Sequence, residues 1–192
     1  MLRLMRIKVK KNMVMSNNNH IEIIIEDGIW QEYSSVEDDA YKVFDVAVGY
    51  LQEHDAWSKF NANKYTKPFN INLVLANAEE VHQLNKEFRG IDKTTNVLSF
   101  ANVDADDFEE DIKNSEIIEL GDIIIAYEVL AQEAEIKKIP FSHHFMHLLV
   151  HGILHLMGYD HQEDTEAEVM EGMEKEILAL VNVDNPYEEF TE

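Results

Sequence analysis

Six of the nine histidines fall between residues 143 and 161: His143, His144, His147, His151, His155 and His161. In HGILHLMGYDH, His151 and His155 stand four residues apart. On a helix that spacing stacks both imidazoles on one face, ~6 Å apart at the base, and lets them converge on one ion at ~2 Å per bond. His147 continues the stripe one turn earlier, but it lies ~12 Å along the axis from His155, too far for both to hold the same ion. It reads as a supporting or structural residue, and His143 and His144 as structural or capping ones. Gly158 follows His155 by three residues, where a glycine can take the left-handed conformation that ends a helix and doubles the chain back. His161 is then returned to the ion. Three neutral nitrogen donors leave the fourth position of a tetrahedral zinc to water, which a catalytic site requires.

The chain has no cysteine. Disulfides, iron–sulfur clusters, thiolate zinc fingers and cysteine nucleophiles are excluded, and any transition metal must be held by His, Asp or Glu. The spacing H-x3-H-x5-H with Gly158 inside it resembles the metzincin proteases, whose motif places a glutamate general base directly after the first histidine. Here that residue is Gly152. Glycine cannot accept a proton, so the protease reading loses its base while the metal platform survives.

The whole string from His151 to His161 resembles the signature H-G-x-L-H-L-x-G-Y-D-H of the YbeY-type endoribonucleases, the bacterial rRNA maturation factors. LNKEFRGIDKTTNVLSFAN from Leu84 is similar to that family's N-x-x-x-R-x-x-D-x-x-T-[DN]-V-L-S-F segment, and LGDIIIA from Leu120 to its L-G-D-I strand. Thr94 and Ala101 stand where the family commonly has proline, which concerns loop rigidity rather than ligands. The resemblance implies a zincin-like α+β fold with a metal-bearing central helix. It implies metal-dependent cleavage of single-stranded RNA in maturation of the small-subunit rRNA 3′ end and in ribosome quality control, with rRNA and ribosomal small-subunit proteins as partners. His151, His155 and His161 would bind one Zn2+, and Arg89 would be the catalytic basic residue beside it.

Arg89 also has a reading from its own chemistry. A guanidinium presents paired donors that match phosphate oxygens and stays charged at every relevant pH; an Arg in the last turn before Gly90 equally satisfies terminal carbonyls and the helix dipole. Lys93 either adds to a local positive patch or is simply solvated. Asp160, beside His161, either orients a ligand imidazole or contacts substrate, or else caps a turn. No residue is assigned as general base. Two other functions use the same residues: a zinc metallopeptidase-like hydrolase, and a ribosome-assembly factor whose zinc is structural.

These groups need a scaffold, and the pattern supplies one. Strands are expected at Ile21 to Ile25, through KPFNINLVLAN, at TNVLSF and at IIELGDIIIA. Helices are expected after a Ser34 or Ser35 cap, with Val36, Ala40, Phe44, Ala47, Val48 and Leu51 inside, and from Asn77, boxed by Glu80, through Val81, Leu84 and Phe88 to Gly90. Others run from Tyr127 to Ile139 before Pro140, from a Ser142 cap to Leu156, and from Asp164 to Val181 with Val169, Met173, Ile177 and Leu180 on one face. Val103 to Asp111 reads as an acidic loop. Four strands among helices, several connections too short for crossovers, predict a mixed sheet in an α+β layer.

A chain of 192 residues with 45% hydrophobic side chains fits one globular domain with a sizeable core. We expect a basic extension over residues 1–15 that takes no part in the fold and from which Met15 could be the true start, a single metal-dependent hydrolase domain over 16–181, and an acidic tail over 182–192. The net charge is −22. The first fifteen residues hold five of the sixteen basic groups and no acid, so the remainder is more acidic still. A field of that sign repels polyanions at long range, and any RNA role must rest on a local positive site. No apolar run is long enough to span a membrane and no secretory signal is evident, which makes the cytoplasm the default compartment.

Overall fold

The computed structural model describes residues 18–54 and 67–188. The basic extension over residues 1–15 lies outside the described residues. The chain runs through β1 (His20–Ile25), α1 (Val36–Glu53), β2 (Phe69–Ala76), α2 (Ala78–Arg89), β3 (Val97–Ala101), α3 (Phe108–Asn114), β4 (Ile118–Ala126), α4 (Tyr127–Lys137), α5 (Phe141–Leu156) and α6 (Asp164–Leu180). The four strands form one sheet in the order β1-β2-β4-β3, with β1, β2 and β4 parallel and β3 antiparallel to β4. This is the mixed α+β sheet expected from the pattern.

Position in the sheet explains the strand compositions. In β2, Phe69, Ile71, Leu73 and Leu75 are buried while Asn70, Asn72 and Val74 are only half so. Central β4 is covered on both faces and reads as a near-continuous apolar run. One face of the sheet carries the main core, filled by α1, α5 and α6. A smaller cluster on the other face joins Val81 and Leu84 of α2 to Leu98, Ile124 and Ala126. Gly121, at φ +131°, lets β3 pass so close that a Cβ there would sit 2.0 Å from the Phe100 carbonyl oxygen. A side chain at that position would push away the strand that carries Ser99.

Local signals decide most helix ends. Asn77 and Glu80 form a reciprocal capping box on α2, and Gly90, left-handed at φ +70°, closes it. Elsewhere the structure departs from the pattern. The acidic stretch after Val103 is not a loop: a single 3-10 turn at Asn102–Asp104 leads into α3, anchored by buried Phe108 and Ile112. Glu109, Glu110 and Asp111 fall in the first turn of α3, where the helix dipole favours negative charge. Ser142 does not cap α5; the helix begins at Phe141 behind Pro140, whose carbonyl accepts from the His143 and His144 amides. α4 ends at Lys137, because Lys138 turns left-handed at φ +54° and leaves Ile139 outside.

The apolar face of α6 is rotated from the expected one. Val169 and Leu180 are 55% and 59% exposed, whereas Met170, Met173, Glu174, Ile177 and Leu178 are buried. A charged residue takes a core position because three hydrogen-bond donors meet it there. Nor does packing stop at Val181, the expected end of the domain: Val183 is buried, and the Tyr187 hydroxyl donates to Glu174.

Candidate metal centre

His151 and His155 project from consecutive turns of α5, both half-buried, with Nε2 atoms 3.0 Å apart. Beyond Leu156 the chain reverses at Gly158, φ +87°, as the glycine predicted. The Gly158 amide donates to the His155 carbonyl at 2.9 Å and the Tyr159 amide to Leu154 at 3.0 Å. Asp160 then fixes the loop: Oδ1 accepts from the His161 amide at 2.8 Å and Oδ2 from the Gln162 side chain at 2.8 Å. His161 comes back with its ring centroid 5.3 Å from that of His151 and 5.1 Å from that of His155. One nitrogen from each of the three imidazoles lies within 4.8 Å of the others.

The outer partners dictate tautomers. His151 Nδ1 faces Glu174 Oε1 at 2.8 Å, and His155 Nδ1 faces the Tyr159 carbonyl at 3.0 Å. A carboxylate and a carbonyl can only accept, so both Nδ1 atoms carry the proton, and in the neutral form of each ring Nε2 keeps the lone pair. Two lone pairs 3.0 Å apart repel each other unless a cation lies between them. The donor set therefore fits a divalent ion bound by neutral imidazoles, with ring N–H groups anchored behind as in many metal sites. His155 is held neutral: burial, reinforced by the neighbouring His151, lowers its pKa to about 4.

Glu174 is the residue that reading the sequence missed. Only 1% of it is exposed. Burial pulls its pKa up, but donors from His147 (3.1 Å), His151 and Tyr187 outweigh burial and leave it lowered to about 2. It is an anion in the core. The signal was present: an acid at position 174 interrupts the i, i+3, i+7 stripe of Met170, Met173 and Ile177. His147, expected to support rather than ligate, does so through Glu174. His144 is buried and donates to Glu133 at 2.7 Å, a structural pairing.

The three imidazoles open into a cavity of about 520 Å³ that Arg89 and Ser99 also line. Arg89 reaches it from the end of α2, with Nη2 donating to the Ser99 carbonyl at 3.1 Å. Lys93 is exposed and does not line the cavity; its carbonyl accepts from buried Asn85 at 2.8 Å. Asp160 lines it, but both carboxylate oxygens are engaged in the turn. Gly152 faces β4, where a Cβ would meet Ile123 Cγ2 at 2.8 Å. A glutamate at this position would force α5 off the sheet.

An α+β fold with a histidine-bearing central helix and a glycine turn returning a third imidazole defines a class of hydrolase-like scaffolds, and the comparisons narrow it. The family described as Endoribonuclease YbeY matches residues 35–182, and the chain belongs to that family. A relative named Endoribonuclease YbeY from Sinorhizobium fredii is 40% identical over 167 residues, 87% of this chain and 91% of the relative. One of the same name from Acinetobacter baumannii is 48% identical over 126 residues, 65% of this chain and 78% of the relative. The solution structure of TM1509 from Thermotoga maritima, 22% identical, superposes with a TM-score of 0.50 over 88% of this chain and all of that one, and shares the fold.

Proposed function

We propose that the chain is a single-strand-specific endoribonuclease that acts in small-subunit rRNA 3′-end maturation and ribosome quality control, in the cytoplasm, through one hydrolase domain. His151, His155 and His161 would hold Zn2+. The carrying observation is that two imidazoles whose Nδ1 atoms face acceptors turn their Nε2 atoms toward one point, in a cavity that also receives Arg89. Zinc, when bound, supplies a Lewis acid that polarises a phosphoryl oxygen and lowers the pKa of water towards ~7.

The chain's own groups do the rest. Glu174 and the Tyr159 carbonyl keep the two helical imidazoles in the tautomer a ligand needs. Arg89, charged throughout, binds a non-bridging phosphate oxygen and offsets negative charge as it accumulates there. Asp160 holds the loop of His161 rather than the substrate. The peptidase alternative is disfavoured twice, by the lack of a side chain at Gly152 and by Ile123 packed against it. A purely structural ion is disfavoured because His161 is exposed and the cavity stays open on its side.

The test is cleavage of an unstructured RNA by metal-replete protein, with casein as the peptidase control, beside His155→Ala and Arg89→Ala. Loss of RNA cleavage in both variants is expected. Equal activity in all three overturns the assignment. The product's 3′ end separates attack by water from attack by the RNA 2′-hydroxyl, since only the latter leaves a 2′,3′-cyclic phosphate.

A further inference from the structure

Phe88 precedes Arg89 at the end of α2 and is 63% exposed. Helical periodicity places it in the stripe of Val81 and Leu84, yet the helix ends past the edge of the apolar cluster and leaves the ring in water. Its one ring partner among the described contacts is Phe100 of β3, edge-on with centroids 5.5 Å apart and planes at 68°. The Arg89 guanidinium carbon lies 6.0 Å from the centroid of that same Phe100 ring. The exposed phenyl and the cation lining the histidine cavity are thus braced on one aromatic support.

Charge makes this surface consequential. Nucleic-acid affinity usually comes from phosphate neutralisation by lysine and arginine. This chain carries −22, and among the described residues Arg89 is the only Lys or Arg that lines the cavity. Lys86, on the same helix, is tied to Asp92 at 2.8 Å. Contacts that do not depend on ionic attraction would add to what this one cation supplies. Stacking of an unpaired base on an aromatic face is such a contact, and it is tolerant of sequence.

We propose that Phe88, backed by Phe100, stacks one unpaired base of the RNA strand whose adjoining phosphate Arg89 engages. This is a positioning subsite for the substrate class of the preceding section, and it rests on that reading of the cavity. It also makes single-strandedness a requirement, because a base paired in a duplex has no free face to offer.

The experiment uses metal-replete protein and a short unstructured RNA in which single abasic sites are moved stepwise along the strand. Phe88→Ala, an exposed truncation that leaves the core intact, should raise KM about tenfold with little change in kcat, and Phe88→Trp should restore it. In the unsubstituted protein, one abasic position should raise KM by a similar factor. Phe88→Ala should be indifferent to that same position, the two losses failing to add. An unchanged KM in Phe88→Ala, or additive losses at every abasic position, overturns the proposal. Unchanged KM together with lost co-sedimentation with ribosomal subunits also overturns it and marks Phe88 as a protein contact. His155→Ala and Arg89→Ala run alongside: if they cleave normally, the cavity reading falls and takes this subsite with it, whereas if only Phe88→Ala behaves normally, the subsite alone falls.

Discussion

Replacing Glu174 by Gln keeps the shape of the side chain and removes its charge, which isolates what the buried carboxylate does. As an anion it accepts from His147, His151 and Tyr187 at once. A carboxamide has one acceptor oxygen and adds two N–H donors, so at least one of the three donors is left facing another donor. An unsatisfied buried polar group costs ~1–3 kcal/mol, and the loss of charge-assisted hydrogen bonds adds to it, so Glu174→Gln should destabilise the metal-free protein by about 2–4 kcal/mol. The second consequence concerns the ion. If the carboxamide turns its N–H toward His151 Nδ1, the ring proton moves to Nε2, the atom meant for the metal. Zinc affinity should fall by roughly 10- to 100-fold, the usual effect of removing such an outer partner.

Affinity is read by competition with a chromophoric chelator at pH 7.5, and stability by urea denaturation with and without metal. Glu133→Gln is the control. It disturbs a comparable Glu–His pair, His144 on the same helix α5, but touches no candidate ligand. It should cost stability and leave zinc affinity alone. Zinc binding within twofold of the unsubstituted protein in folded Glu174→Gln refutes the claim that Glu174 sets the His151 tautomer.

Gly152→Ala should destabilise by about 1–3 kcal/mol, since the added methyl lands 2.8 Å from Ile123 Cγ2 in a packed helix–sheet contact; an unchanged urea midpoint contradicts this packing. His144 gives a pH test. Burial, with Lys137 and His147 nearby, lowers its pKa below the ordinary 6.5 despite the Glu133 carboxylate. As pH falls through 6.5 the unfolded chain takes up a proton that the folded chain refuses, so stability drops, by at most ~1.4 kcal/mol per pH unit from this group. Urea midpoints of metal-free protein at pH 7.5 and 5.5 should show a smaller loss in His144→Gln than in the parent, and equal losses would contradict the assignment.

What could be read from the sequence was whatever depends on short-range geometry. The His151–His155 pair, the Gly158 reversal and the Asn77–Glu80 box each need only a helix and a few residues, and each stands as the spacing indicated. The four strands were legible for the same reason. What failed depended on neighbours distant in the chain. The α6 stripe was misplaced because an acid was assumed to face water, and only the arrival of His147, His151 and Tyr187 makes a core site for Glu174. Phe88 shares the period of Val81 and Leu84 yet stands in water, because periodicity cannot show where the opposing cluster ends. The α3 helix hid in an acidic run whose charges alone suggested a loop. Asp160 had three open readings, and the amide of His161 together with Gln162 selects the turn.

The order in which these parts leave the ribosome matters for the cell that makes them. Arg89 emerges first and the imidazoles later, but the carboxylate that His151 faces lies in α6, and the hydroxyl that donates to it lies seven residues beyond that helix, at Tyr187. A chain cut before Glu174 lacks the carboxylate that His151 Nδ1 faces in the complete fold. Completion of the site thereby waits on Glu174 and Tyr187, which are made after all three imidazoles, so the histidines cannot be fully oriented while they are the newest part of the chain.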